Sequence, residues 1–221
     1  MAAVGTWSFS RPAVDRMRSL LLAGQNATDV VETAMAEVED DLDTGRHIVG
    51  RGGFPNATGV VECDAAIMEG LPRRFGAVAA LRGIPQPCRV ARKVMEESPH
   101  SLLVGEGAEA FAQDLGFTSE PNEKMLSDHT ASAYQEFLEK KEPVKGGHDT
   151  IGLIALDLSV STSGAPFKLP GRVGDSPLPG CGLYADHTVC DGDKIMCYCP
   201  SFHVVQLMKQ GSSPNEACSA V

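Results

Sequence analysis

The chain has 221 residues, 43% of them hydrophobic and 22% charged, which suits one sizeable packed domain and not a disordered segment. A formal net charge of -10, from 29 acidic and 19 basic residues, argues against a nucleic-acid or anionic-membrane partner, because both reward a concentrated basic patch. No run approaches the roughly 20 apolar residues that cross a bilayer, and the opening MAAVGTWSF lacks a basic region followed by an apolar stretch, so an unexported chain with a small polar substrate is the expectation.

Ser10-Arg-Pro12 predicts a helix start, with Val14, Met17 and Leu20 to Leu22 as its apolar stripe and Gly24 as its stop. A second helix follows, carried by Val30, Val31, Ala34, Met35 and Val38, and the acidic run Glu37 to Asp41 is expected on a solvated face. The stretch GRGGFPNATG reads as loop. Gly59 to Ile67 and Gly76 to Ala80 read as two strands joined by turn material, a meander. Pro87 to Glu97 reads as a basic amphipathic helix with Val90, Ala91 and Val94 inward, followed by a strand-like LLV, a glycine bend and a helix stopped at Gly116.

From Thr118 to Lys145 the chain is polar and charged, with a helix from Lys124 to Lys140 ended before Pro143, and is expected to be a surface segment or tether. After it, TIGLIALDLSVSTSG has β character without an obvious turn and outruns the roughly 3 to 10 residues of an ordinary strand. A Gly- and Pro-rich loop, a strand GDKIMCYC and two short closing helices complete the chain.

Several clusters invite a chemical reading. The G-x-G-x-x-A of LLVGEGAEA imitates a dinucleotide fingerprint, but Glu106 puts a negative charge where a pyrophosphate would approach, so no cofactor is expected. Cys190, Cys197, Cys199 and His203 do not have zinc spacing, and no metal is expected. The seven cysteines are odd in number and scattered, and read mostly as reduced core thiols. Two sequons, at Asn26 and Asn56, do not settle the compartment.

In FKLPGRVGDSPLPG, Arg172 and Asp175 stand three residues apart on a backbone shaped by Gly171, Gly174 and Pro177. A guanidinium for an α-carboxylate and a carboxylate for an α-ammonium would clamp an amino acid at both ends, although a local pair bracing the loop explains the same residues. Thr150 opens an apolar run directly after Gly-Gly-His-Asp. It is either an ordinary β-branched strand start or, if the preceding peptide bond is cut, a residue whose free amine activates its own hydroxyl.

Taken together, HDTIG, STSG at Ser161 to Gly164 and FKLPGRVGDSP resemble the glycosylasparaginase (aspartylglucosaminidase) family of N-terminal nucleophile hydrolases. GTWSF, GGFPN, DAAIMEG, FGAVAALR, ARKVMEESPHSLLVGEGA and YCPSF extend the resemblance over nearly the whole chain. It implies a four-layer αββα sandwich, incomplete at the C-terminus, made of segments 1–149 and 150–221 of one domain. It implies self-cleavage between Asp149 and Thr150 by an N-to-O acyl shift, Thr150 as nucleophile, Thr162 supporting its hydroxyl, and Arg172, Val173, Gly174 and Asp175 with Trp7 around the substrate. The implied reaction is hydrolysis of the amide joining N-acetylglucosamine to asparagine, with isoaspartyl peptidase or L-asparaginase activity as the neighbouring alternative. The two fragments would stay associated and the pair would dimerise. The resemblance implies a lysosomal protein, whereas the absence of a signal peptide in this sequence leaves the cytoplasm open as the alternative.

Three departures from the family pattern carry expectations of their own. Residues are missing between LIALDL and VSTSG, and an odd deletion there would turn Thr162 to the wrong side. The Gly/Ala-rich run ending in Thr-Gly that supplies an oxyanion hole is absent after YADHTV, and each such donor is typically worth about 10² to 10³ in rate. Relatives also continue past the position of Val221. A weakened or non-catalytic, aspartate-binding form is therefore the competing expectation.

Overall fold

A computed structural model describes residues 3–6, 8–42, 50–72, 74–140, 150–155, 158–183, 206–213 and 216. Its centre is a six-stranded mixed sheet in the order β1-β5-β6-β2-β3-β4, from β1 (Ala3–Gly5), β2 (Cys63–Glu69), β3 (Arg74–Leu81), β4 (Leu102–Val104), β5 (Thr150–Ala155) and β6 (Leu158–Ser163). All neighbours are antiparallel except β3 and β4, which pair in parallel across a helical crossover.

The sequence periods explain the layers. Along α1 (Arg11–Leu22) and α2 (Ala27–Glu39), Met17, Leu20, Leu21, Val30, Val31, Ala34, Met35 and Val38 recur at helical spacing and bury one stripe. They meet Ala65, Ile67, Val78, Ile151, Leu153 and Ala155, inward-facing residues of three strands, in one core with α3 (Pro87–Glu97) and α4 (Gly105–Asp114). Gly76 allows α3 to come this close, since a Cβ there would meet the Ala91 carbonyl oxygen at 2.2 Å. Asn26 caps α2 by accepting the Asp29 N–H, and Gly24, at φ +82°, ends the turn after α1.

The other sheet face carries Ala66, Met68, Phe75 and Ala77, covered in part by Leu183 from the loop that follows β6. Strand β2 is buried along its whole length. The two expected meander strands are β2 and β3, and the overlong strand is a hairpin: Ala155 pairs with Leu158, so two residues connect β5 to β6. Leu156-Asp157 has no Gly or Asn to announce a turn, which is why the run looks continuous in sequence.

Two further expectations are corrected. The polar segment after Thr118 lies at the surface as expected, but it is no tether. Its helices, α5 (Asn122–Met125) and α6 (Asp128–Lys140), are docked: Met125 is buried against Val61 and Cys63, and Phe137 stacks on Phe167 at 4.3 Å between ring centroids, with Tyr134 beside it. Glu39, at the end of α2, is fully buried and not solvated, its carboxyl group accepting the Cys88 N–H at the start of α3. Cys63 and Cys88 are buried free thiols as expected, but Cys181 is exposed, and the other four cysteines and His203 lie outside the described residues.

Candidate active site

Thr150 opens β5, and the sheet register determines what shares its surface. Thr150 pairs with Ser163 on β6, and Ser163 pairs with Asp64 on β2. Directly paired residues occupy the same face, so positions 150, 163 and 64 form one row, with the ends about 10 Å apart across two strand spacings. The loop bearing Arg172 and Asp175 is anchored to that face. Asp64 accepts the Gly174 N–H at 2.9 Å, and the buried hydroxyls of Ser161 on β6 and Ser176 bond at 3.0 Å. The chain from Gly174 to Ser176 thus runs from above β2 to above β6, leaving the Arg172 and Asp175 side chains exposed.

Below the loop lies a set of buried charges that sequence reasoning missed. Glu62 accepts the Gly171 N–H at 3.0 Å and binds Arg82 through Nη2 at 2.7 Å. Lys168 donates to the Arg172 carbonyl at 2.9 Å and lies 3.9 Å from both Glu62 and Asp64. Burial opposes ionisation of Glu62, but the Gly171 N–H, Arg82, the Asn56 side chain and the Lys168 charge outweigh it and hold this carboxyl below its usual range. Asp64 also accepts the N–H of Ala80, whose φ of +50° is unusual for a residue with a side chain.

The GGFPN stretch supports the same loop. Pro55 accepts the Phe167 N–H, the Ala57 N–H bonds to the Lys168 carbonyl, and Phe54 packs edge-on to Phe167. Asn56 is fully buried and its side-chain oxygen accepts three bonds, from the Thr58 and Val60 N–H groups and the Thr58 hydroxyl, so this sequon organises a turn. Near the start of β5, Thr6 of the GTWSF stretch takes the Gly152 N–H on its hydroxyl and gives its own N–H to the Gly152 carbonyl. Trp7 and Asp149 lie outside the described residues.

The structure does not bring Thr162 to this face. Thr162 pairs with Ile151 and Ala65, which point into the helical core, so positions 150 and 162 alternate across the pleat. Its buried hydroxyl donates to the Asp64 carbonyl at 3.2 Å and lies against Glu39. Burial pushes Glu39 up to about 8, outweighing its bonds with Cys88 and Thr162 and the charge of Arg89. Cys63, beside it, is pushed up to about 12 by burial and by Glu39, which leaves its thiol unreactive at neutral pH.

A cleft of about 290 Å³ flanks the loop, lined by Gly171 and Val173 on one side and by Ala80, Arg82 and Val104 to Glu106 on the other. The G-E-G stretch therefore forms the first turn of α4 at a cleft wall, with an acidic side chain in it. Among the described residues no cluster of three or more His, Cys, Asp or Glu side chains could hold a metal ion, and no helix is long and apolar enough to cross a membrane.

Comparison with known proteins adds three observations. The model of the Asparaginase_2 family, described as asparaginase, matches residues 3–221. The N(4)-(Beta-N-acetylglucosaminyl)-L-asparaginase of Rattus norvegicus is 36% identical over 265 residues, covering 99% of this chain and 75% of its own; the protein of that name from Elizabethkingia miricola is 38% identical, covering 97% and 66%. An isoaspartyl peptidase/L-asparaginase of Rattus norvegicus is 40% identical over 77% of this chain, which spans 54% of that relative's length. An alignment of 265 residues against a chain of 221 means that the first relative has internal residues without counterparts here.

Proposed function

The chain belongs to the Asparaginase_2 family, and from that premise we propose that it is an amide hydrolase whose substrate carries an aspartyl group, N-acetylglucosamine-linked asparagine first among candidates. The observation that carries this reading is the row from Thr150 through Ser163 to Asp64, because Asp64 holds the loop presenting Arg172 and Asp175 on the face that the row defines.

The chemistry needs the bond between Asp149 and Thr150 broken first. The Thr150 hydroxyl attacks the Asp149 carbonyl carbon, the peptide C–N bond breaks, and water hydrolyses the resulting ester, leaving an Asp149 carboxylate and a free Thr150 amine. That amine, with a reference pKa of about 7.7 to 8.0, then takes the hydroxyl proton as the oxygen attacks the substrate's side-chain amide. The sugar amine departs with the proton, and water releases aspartate from the ester. Arg172 pairs with the α-carboxylate and Asp175 with the α-ammonium, so the amino-acid end is fixed while the linkage reacts. Val173 and Gly174 hold these side chains in place as backbone, and the family resemblance assigns Trp7 to the lining of the substrate pocket.

In this reading the two segments, 1–149 and 150–221, remain one αββα domain after cleavage and form a homodimer, and the family points to a lysosome. Thr162 is the exception. Its position beside Glu39 supports a role in holding β6 and not in assisting the nucleophile. A β-aspartyl peptide is the alternative substrate, supported by the match to the isoaspartyl peptidase.

Incubation of the purified chain with aspartyl-glucosamine and, separately, with a β-aspartyl dipeptide decides between them. Aspartate release from the sugar conjugate is expected. Preference for the dipeptide would move the chain to the alternative, and release from neither, with the chain folded, would reject hydrolysis and leave an aspartate-binding protein.

A further inference from the structure

Three consecutive handholds on the clamp loop are main-chain groups, and each is held by a different buried charged side chain. Glu62 takes the N–H of Gly171, Lys168 gives a proton to the carbonyl of Arg172, and Asp64 takes the N–H of Gly174. All three side chains are at least nine-tenths buried, and their charged ends are taken up by the loop backbone and by one another. We propose that Glu62, Lys168 and Asp64 form a positioning device that sets the aspartyl affinity of the clamp, acting through the backbone of residues 171–174 without touching substrate.

This rests on the reading of Arg172 and Asp175 as the aspartyl clamp and deepens it. Isolated buried charges are costly, and a loop that merely needed attachment could use apolar contacts or neutral hydrogen bonds. Here two carboxylates are matched by Lys168 and Arg82, so the charges are balanced among themselves. What they accomplish is to specify backbone direction: an N–H, a carbonyl and an N–H alternate over four residues, which aims the intervening Arg172 and the following Asp175 outward. Gly171, at φ +76°, supplies the bend that an L-residue would resist.

Asp64 is the most exposing test because it uses both oxygens as acceptors, one for Ala80 N–H and one for Gly174 N–H. Asp64→Asn keeps the shape but offers one oxygen and one NH2, so one of those N–H groups faces another donor and Lys168 loses a counter-charge. A misplacement of about 1 Å is enough to cost on the order of 10² in a positioned interaction. Glu62→Gln disturbs the opposite end of the loop and serves if Asp64→Asn does not fold.

The experiment titrates the full chain with L-aspartate by calorimetry, for wild type, Asp64→Asn, Arg172→Lys and the double variant, with melting curves to establish folding. The expected result is a 10- to 100-fold weaker affinity for Asp64→Asn, and little further loss when it is added to Arg172→Lys, because both act through one clamp. Hydrogen exchange of peptides spanning 166–183 should rise in Asp64→Asn even without ligand. Unchanged affinity in folded Asp64→Asn, full additivity with Arg172→Lys, or unchanged exchange would each overturn the proposal. Absence of aspartate binding by the wild type would instead overturn the clamp itself, with the exchange measurement still judging whether Asp64 orders the loop.

Discussion

Asp64 and Thr150 stand at the two ends of one cross-strand row, on β2 and β5, with Ser163 between them. They are far apart in sequence, yet the first holds the loop that bears Arg172 and Asp175 and the second opens the strand that follows the proposed cleavage point. Any event that shifts the β5–β6 register by one residue would put position 150 on the helical side of the sheet, away from Arg172 and Asp175. The hairpin therefore controls the site as much as the loop does.

That register makes Thr162 a discriminating residue. Thr162→Val removes a buried hydroxyl bonded to the Asp64 carbonyl and lying against Glu39, and should cost about 1–3 kcal/mol of stability by chemical denaturation. Turnover per folded molecule should change little. A loss of 10²-fold or more in kcat with an unchanged denaturation midpoint would instead restore Thr162 to the nucleophile's support.

Glu39 should give the fold an unusual pH dependence. Its carboxyl is raised to about 8 in the folded state from an ordinary value of 4.5, so between those limits the unfolded chain has released a proton that the native chain still holds. Stability contributed by this group is complete below pH 4.5 and is lost as pH rises through 8. Glu39→Gln keeps an acceptor for Cys88 N–H and cannot ionise. It should flatten the curve of Tm against pH between 5 and 8 and melt higher than wild type at pH 8. Parallel curves for the two proteins would show that Glu39 is not the buried acid described here.

Helix α6 supplies a test of packing. Phe137→Ala removes the ring stacked on Phe167, which sits at φ +53° one residue before Lys168. Stability should fall by about 1–3 kcal/mol, and L-aspartate affinity should fall with it, because Phe167 and Lys168 belong to the same loop. A change within about 0.5 kcal/mol would return this segment to the status of a surface tether.

What could be read from the sequence depended on how locally each feature is encoded. The helices α1 to α4 announce themselves through apolar spacing and through Pro12, Pro87 and Gly116 as punctuation. Arg172 and Asp175 are legible because the proposed clamp and its bends fit within seven residues, and Thr150 because of its abrupt position after Gly-Gly-His-Asp. Glu62 and Asp64 are not, since they sit in a small, apolar strand run and Asp64 meets its loop partner 110 residues later. Glu39 is hidden by its acidic neighbours, which share its charge but not its side of the helix. Phe137 and Tyr134 are diluted among charges, and only the distant Phe167 reveals that they face inward.

The proposed self-cleavage is the step most sensitive to the two-residue hairpin between β5 and β6. The proposed acyl shift requires the Asp149 carbonyl to be held in a strained geometry in front of the Thr150 hydroxyl, and strain persists only where the surroundings over-determine it. Here β5 and β6 are joined by two residues, the first relative has internal residues that this chain lacks, and the Gly/Ala-rich run ending in Thr-Gly is absent after YADHTV. On this argument processing should be slow, and intact mass after purification should show mostly the 221-residue chain. Prolonged incubation should yield a minor pair of fragments with Thr150 as the new N-terminus by Edman sequencing. Thr150→Ala should abolish that pair, because alanine has no hydroxyl to attack. Rapid, complete conversion would show that the two-residue hairpin holds the scissile bond well enough without the missing segments, and fragments that persist in Thr150→Ala would assign the cut to another protease.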